Sequence, residues 1–572
     1  MFLPCTPDEI ERLGWDAPDV ILVSGDAYID SPFSGVAVIG RVLTAAGFRV
    51  AIIPQPALDT HDDIRRLGQP RLFWGVSGGC VDSMVANRTA NGKKRMQDDF
   101  TPGGINNARP DRAVIAYCNL IRSAFKPCKP LVIGGIEASL RRIAHYDYWS
   151  DSVRRPLLFD AKADILVYGM AEHTVTGVAR ALRDGRDWRA LRGLCYAAPA
   201  DSATLPDGAV TLPDYKTVAA RTTPGFQAFL EMFRAFAANQ SPYTARALLQ
   251  RVDTRLLVHN PPAHPLTAAE LDAAHELPYM LDTHPVHARQ GKVRALETIR
   301  FSLTTHRGCY GECNFCSISM HQGRAVVSRS EASILTEAKR MTRHPKFTGI
   351  IHDVGGPTAN MYGFACRRMT KTGGCAGRRC LFPACCPSLK PDHSAQIDLL
   401  TKLRHLPGVR KIFVASGIRP DLIAADTKHG EKYVETIVTR HVSGQIKLAP
   451  EHCAPRVLEA MGKPGTASLI KFKKAFDDLN RIHGLKQFMT YYFIAAHPGC
   501  TDDDMQKLKS FAQNTLRLKP EQVQIFTPTP STWSTAMYYT GIDPFTGKPI
   551  RVTRGLREKQ AQKEIVTGIP KR

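Results

Sequence analysis

No run of 18 or more apolar residues occurs in the 572-residue chain, so a membrane-spanning helix is not expected. The amino terminus, MFLPCTPDEIERLGW, lacks the basic stretch and apolar run of a secretory leader, and a cytoplasmic location is the expectation. Cysteine is too sparse for a disulfide scaffold: there are 15, and eight of them crowd between Cys309 and Cys386. In a reducing compartment such crowding reads as metal ligation. Acid is also short, with 53 Asp and Glu against 76 Lys and Arg and a net charge of +23. Nucleic acid, phosphorylated metabolites and acidic membrane surfaces all suit that charge, as does a merely solvated basic face. No repeat of fixed period and no low-complexity tract is present.

What is there is the balance of a folded globular protein, 43% apolar with 43 Gly and 39 Pro, long enough for two to four domains. Short apolar runs at Val20 to Val23, Val50 to Ile53, Leu72 to Gly75, Leu131 to Ile133 and Ile165 to Tyr168 alternate with helix-compatible segments. That alternation predicts an α/β domain with a doubly wound parallel sheet over residues 1–195. Residues 196–290 change to Ala, Pro, Thr and Asp and are expected to form a connector. A second alternation over residues 291–527 places six strands at Phe301 to Thr305, Thr348 to Asp353, Lys411 to Ala415, Gln445 to Leu448, Met489 to Ile494 and Val523 to Phe526, a partial (β/α)6 barrel. Ser328 with Glu331, and Thr501, are the expected helix caps in this part. Residues 528–572 read as a basic extension, whose last part from Lys548 holds eight basic and two acidic residues and is expected to be mobile.

After the first barrel strand comes THRGCYGECNFCSISMHQGR, with Cys309, Cys313 and Cys316 in the spacing CxxxCxxC. Three thiolates from one loop suit three corners of a four-iron cluster, leaving one iron for an external ligand. A zinc ion on the same thiolates with His306 or His321 is an alternative, as is a closed cluster with Cys366 as fourth ligand.

CxxxCxxC with Phe315 before the third Cys resembles the signature of the radical S-adenosylmethionine superfamily. The segments SGDAYIDSPFSG, IGGIEASLRR, LAPEH, YYFIAAHPGCTDDD and MYYTGIDPFTGKP resemble its YgiQ family, and the likeness covers nearly the whole chain. The resemblance implies an N-terminal Rossmann-like (cobalamin-binding-like) domain and a radical barrel. It implies a [4Fe-4S] cluster on Cys309, Cys313 and Cys316 that chelates S-adenosylmethionine, with Phe315 beside the adenine. Gly355, Gly356 and Pro357 would form the turn meeting the methionine amino group, although the superfamily's Glu is missing there. Ser416 and Arg419 after the third strand, with Lys447, Pro450 and Glu451 after the fourth, would face ribose and carboxylate, and His497 would close the adenine side. Reductive cleavage of the sulfonium to a 5′-deoxyadenosyl radical would follow, fed by a reducing protein such as a flavodoxin or ferredoxin, on an unidentified substrate for which the basic charge suits an anion.

The segment CRRMTKTGGCAGRRCLFPACC adds Cys366, Cys375, Cys380, Cys385 and Cys386 among five basic residues and no acid. A second metal site on Cys366, Cys375, Cys380 and Cys385 is one reading, and buried free thiols or a redox pair are others. In the N-terminal domain the family's cobalamin loop would need DxHxxG, whereas residues 30–35 read DSPFSG. With no His in place, lower-face cobalamin ligation is doubtful. The rival functions are a zinc-containing basic nucleic-acid-binding protein and a radical enzyme acting on RNA.

Overall fold

The computed structural model describes residues 1–202, 205–375 and 377–568. They form two compact units, Met1–Pro265 with Ala273–Arg300, and Leu266–Asp272 with Phe301–Arg572. Among the described residues no helix is long and apolar enough to cross a membrane.

The first unit is built on a nine-stranded sheet. Its parallel part runs Val50–Pro54, Val20–Ser24, Phe73–Ser77, Leu131–Gly134 and Ile165–Val167 in space. That is the doubly wound order second, first, third, fourth, fifth, and the strands lie where the apolar runs predicted them. They read as unbroken apolar runs because helices such as Gly35–Ala45 and Ala113–Ala124 pack against them.

Residues 196–290, expected as a connector, instead extend this sheet. Leu194–Pro199, Arg255–His259 and Leu248–Val252 join it antiparallel, and Val210–Leu212 adds a parallel edge. Leu248, Gln250 and Val252 are buried while Arg251 is exposed, so the alternation is real. Gln250 at an inward position disguised it, since its side chain donates to Pro213 O at 3.1 Å and accepts from the Ala144 N–H at 3.0 Å.

In the second unit the six expected strands follow one another in parallel. Ser302–Thr304 pairs with Asp353–Gly355, and Ile350–Ile351 of the same second strand pairs with Lys411–Ile412. An Ile418 to Leu448 bridge leads to Gln445–Glu451, which pairs with Phe488–Ala495, and that with Gln524–Ile525. Every strand therefore points its carboxyl end the same way, where a barrel carries its reacting groups.

Two local expectations are corrected. Ser330, not Ser328, caps the helix Glu331–Thr342, accepting from the Ser333 N–H at 3.1 Å, while Ser328 belongs to a short strand. The tail is folded through residue 568: Leu556–Thr567 is a helix with Lys559, Gln562 and Val566 buried. Two of those three are polar, which hid the stripe. Lys559 Nζ donates to the Tyr538 hydroxyl at 2.8 Å and Gln562 Nε2 to Asp502 Oδ1 at 3.0 Å, so both are satisfied in place. The last four residues lie outside the described residues. Thr501 caps Asp502–Ser510 as expected, in a capping box with Asp504.

Candidate functional site

The cysteine loop leaves the first barrel strand through His306–Arg307, which pairs antiparallel with Val327–Ser328 and so fixes both ends of the loop. Its middle is held by Asn314. The Asn314 N–H donates to Met461 O at 2.8 Å, its side chain donates to Ala460 O at 2.8 Å, and its carbonyl accepts from the Ser534 N–H at 2.9 Å. Such anchoring presets the thiols before any ligand arrives.

Gly311 sits between two of the sulfurs. A Cβ there would lie 3.3 Å from Cys309 Sγ, 3.7 Å from Cys313 Sγ and 2.9 Å from Arg419 Nη1, so only glycine leaves this ground clear. The Gly311 N–H donates to Cys309 Sγ at 3.4 Å, Thr358 Oγ1 lies 3.5 Å from the same sulfur, and Arg419 Nη1 donates to Cys313 Sγ at 3.8 Å. Burial pushes the Cys309 thiol up, and pushes Cys316 up to about 12 with Cys313 and Glu451 adding to the shift. Metal binding at such sulfurs displaces protons. Among the described residues no three cysteine sulfurs or histidine nitrogens lie within 4.8 Å of one another.

Several of the other expected residues converge on this loop. Arg419 forms a bidentate pair with Asp421, Nε to Oδ1 at 3.0 Å and Nη2 to Oδ2 at 2.6 Å. Burial disfavours the Arg419 charge, but Asp421 overcomes it and holds the guanidinium protonated. Glu451 is buried in a left-handed conformation, φ 65°, with Lys463 Nζ 3.6 Å away. Burial pushes its carboxyl up, and Lys463 opposes that shift. Ser416 donates to Asp353 Oδ2, and Gly355, next along the second strand, faces the Ser416 hydroxyl. Gly356 lies against the His306 ring, where a Cβ would come within 2.7 Å. Pro357 follows in the same turn, next to Thr358.

Phe315 meets His497 edge to face, with centroids 6.3 Å apart. His497 Nδ1–H donates to Pro498 O at 2.8 Å, leaving Nε2 to accept from the Ser534 hydroxyl at 2.7 Å, and burial keeps the ring neutral at about 3. Sequence reading missed Gly311, Thr358, Asp421, Lys463 and Asp353. Asp421, two residues after Arg419, had a signal as a nearby opposite charge; the others act through fold-dependent contacts.

The corresponding place in the first unit is the switch point between Val20–Ser24 and Phe73–Ser77, where a doubly wound sheet holds its ligand. Here the chain's own groups fill it. A Cβ on Gly79 would overlap the Asp26 carboxylate and one on Gly78 the Glu137 carboxylate, so these glycines make room for side chains of the unit itself. Asp26 is paired with buried Arg109, which also reaches Asp98 at 3.2 Å. Asp30 of the DSPFSG segment is fully buried, paired with Arg41 and accepting from the Met280 N–H at 3.1 Å. The strand Asp282–Thr283 covers Ile29–Asp30, and Ala27 and Ile29 pack with Val293, Ala295 and Leu296. These residues do not fit a corrinoid ligated from that loop.

Comparison with known proteins agrees with this division. The model described as Radical SAM N-terminal matches residues 2–302, the Radical SAM superfamily model matches residues 303–512, and a domain of unknown function, DUF3362, matches residues 521–567. A UPF0313 protein of Fusobacterium nucleatum is 52% identical over 570 residues, covering 99% of this chain and 98% of its own. A UPF0313 protein of Thermotoga maritima is 46% identical over 569 residues, covering 99% and 98%. Among solved structures, the cobalamin-dependent S-adenosylmethionine radical enzyme OxsB with aqua-cobalamin bound matches with a TM-score of 0.50 at 14% identity, covering 93% of this chain and 57% of that one, a likeness of fold. With two near full-length relatives and both superfamily models in register, the chain is a member of the UPF0313 (YgiQ) family of radical S-adenosylmethionine enzymes.

Proposed function

We propose that Cys309, Cys313 and Cys316 hold a [4Fe-4S] cluster whose remaining corner takes the amino and carboxylate groups of S-adenosylmethionine. The observation that supports this most is the cleared ground at Gly311, flanked by two sulfurs and a guanidinium. When bound, the pair supplies a low-potential electron to the sulfonium and so a 5′-deoxyadenosyl radical for hydrogen abstraction from a substrate. The electron would come from a flavodoxin or ferredoxin, and the surplus of basic residues favours an anionic substrate.

The chain's own groups have distinct tasks in this reading. The Gly311 N–H, Thr358 and Arg419 donate toward the sulfurs and stabilise their anionic form. Asp421 holds Arg419 in place, so the guanidinium stays available to a carboxylate or a thiolate. Gly355 and Gly356 let backbone approach a ligand where any side chain would strike Ser416 or His306. Phe315 and neutral His497 form an uncharged aromatic wall suited to adenine.

Electron paramagnetic resonance of the reduced protein tests this. Adding S-adenosylmethionine is expected to change the cluster's spectrum, because it occupies the open corner; a cluster spectrum that stays the same would refute the reading. We include no cobalamin in it, on the filled switch point. Protein reconstituted with hydroxocobalamin and desalted is expected to carry no corrinoid absorbance, and stoichiometric retention would show that the first unit opens to admit it.

A further inference from the structure

The second cysteine group lies in an insert between the second barrel strand and the helix Ser394–Arg404. The sequence reading offered Cys366, Cys375, Cys380 and Cys385 as its ligands, and the contacts below favour Cys386 in place of Cys385. The fold chooses.

Cys366 precedes the helix Arg367–Thr372, and the chain then turns at Gly373, φ 74°, toward Cys375. Further on, the Cys386 N–H donates to Cys380 O at 2.8 Å, closing a loop that brings those two residues together. Cys366 is buried in an apolar cluster with Tyr310, Met369, Leu381 and Leu389, and Cys380, Cys385 and Cys386 pack against that same cluster. The 15 cysteines of the chain are all free, so the crowding is not a disulfide network.

Cations lie beside the half-buried sulfurs, Arg368 on the exposed side. Arg368 Nη1 donates to Cys375 Sγ at 3.7 Å, and Cys366 and Cys386 also lie within reach of its charge. The Arg324 charge is felt at Cys380, while its Nη2 donates to Arg378 O at 3.2 Å and pairs with Glu312 at 3.4 Å. Neutral thiols are weak acceptors and gain little from guanidinium partners. Thiolates gathered round a metal core do, because the assembly is anionic overall. Cys385 differs from the other four: its thiol donates to Cys386 O at 3.9 Å, a bond that a ligating thiolate cannot make, and Asp421 and Arg419, beside the first site, are among its electrostatic neighbours.

We propose that Cys366, Cys375, Cys380 and Cys386 ligate a second iron–sulfur cluster, with Cys385 outside the ligand set. Four thiolates close the coordination of a four-iron core, so this cluster has no corner for S-adenosylmethionine. The proposal stands apart from the function assigned to Cys309, Cys313 and Cys316.

Metal analysis after anaerobic reconstitution with iron and sulfide tests it. The intact chain is expected to hold about eight iron and eight sulfide, and the triple Cys309→Ala, Cys313→Ala, Cys316→Ala chain about four of each. The signal left in that triple variant should ignore added S-adenosylmethionine. Conversely, Cys380→Ser with Cys386→Ser should lose about four iron yet keep the responsive signal, and Cys385→Ala should keep the full metal content. An intact chain holding only about four iron, all lost in the triple variant, would overturn the proposal, as would zinc in place of iron in that variant. Should the triple variant fail to fold by circular dichroism, the double serine variant decides alone, since unchanged iron there is a refutation. If instead the first-site reading is wrong, the intact chain shows no responsive signal while the insert keeps its iron.

Discussion

Replacing Cys313 with alanine is expected to lower 5′-deoxyadenosine release by about 10³-fold or more in anaerobically reconstituted, dithionite-reduced protein, the scale on which removal of an essential group shows. Two thiolates from the loop would remain, and no spare sulfur is held by the loop to replace the third. The guanidinium of Arg419, which donates to Cys313 Sγ at 3.8 Å, would lose that sulfur and keep its pair with Asp421. Far-ultraviolet circular dichroism should be unchanged, because Asn314, next in sequence, anchors the loop through three hydrogen bonds of its own. Chromatographic assay of 5′-deoxyadenosine and methionine reads the result, and a variant that still cleaves S-adenosylmethionine at the parent rate would refute the ligand assignment. Arg419→Gln serves as a graded comparison: it keeps all three sulfurs, so it should retain iron while losing part of the rate.

How much of this was visible beforehand depends on whether a residue's role is local or assembled. The five parallel strands of the first unit were legible because each is a short run buried on both faces, and Val20–Ser24 and Val50–Pro54 are apolar nearly throughout. The strand Leu248–Val252 was not, since buried Gln250 is satisfied by partners 18, 37 and 106 positions away. The terminal helix was missed for a similar reason, its inward face being Lys559 and Gln562 beside Val566.

In the candidate site the cysteine spacing is local and stood out. Arg419 and Glu451 were reachable as charges following barrel strands. Thr358, Lys463 and Gly311 gain their meaning only when the strand ends meet, and a glycine within CYGEC gives no hint that two sulfurs and a guanidinium crowd the position its side chain would take. The choice of Cys386 over Cys385 likewise required the Cys386 to Cys380 hydrogen bond, which residue spacing does not encode.

Arg109→Leu is expected to produce the largest loss of stability in the first unit. The Arg109 side chain is fully buried between two carboxylates, Asp26 and Asp98, each 4% exposed, and its Nε also donates to Gly25 O at 3.1 Å. Removing one partner from a buried ionic group costs about 3 to 5 kcal/mol, since the remaining charges are left without compensation. Amide exchange of Val20–Ser24 and Phe73–Ser77 should therefore accelerate by about 10² to 10⁴-fold at neutral pH. Asp26→Asn and Asp98→Asn added to the same chain should recover much of the loss, because the Cys80 N–H on Asp26 and the Phe100 N–H on Asp98 find an amide oxygen instead. The pH dependence has a definite sign. Burial already pushes the Asp26 carboxyl up, and without Arg109 only the hydrogen bonds from Cys80 pull it back. A carboxyl raised in the folded state is most favourable below its unfolded value and loses that advantage as pH rises through the folded value. The deficit of Arg109→Leu should thus narrow on acidification, and exchange rates equal to the parent's at pH 7 would show that the switch point is not held by this triad.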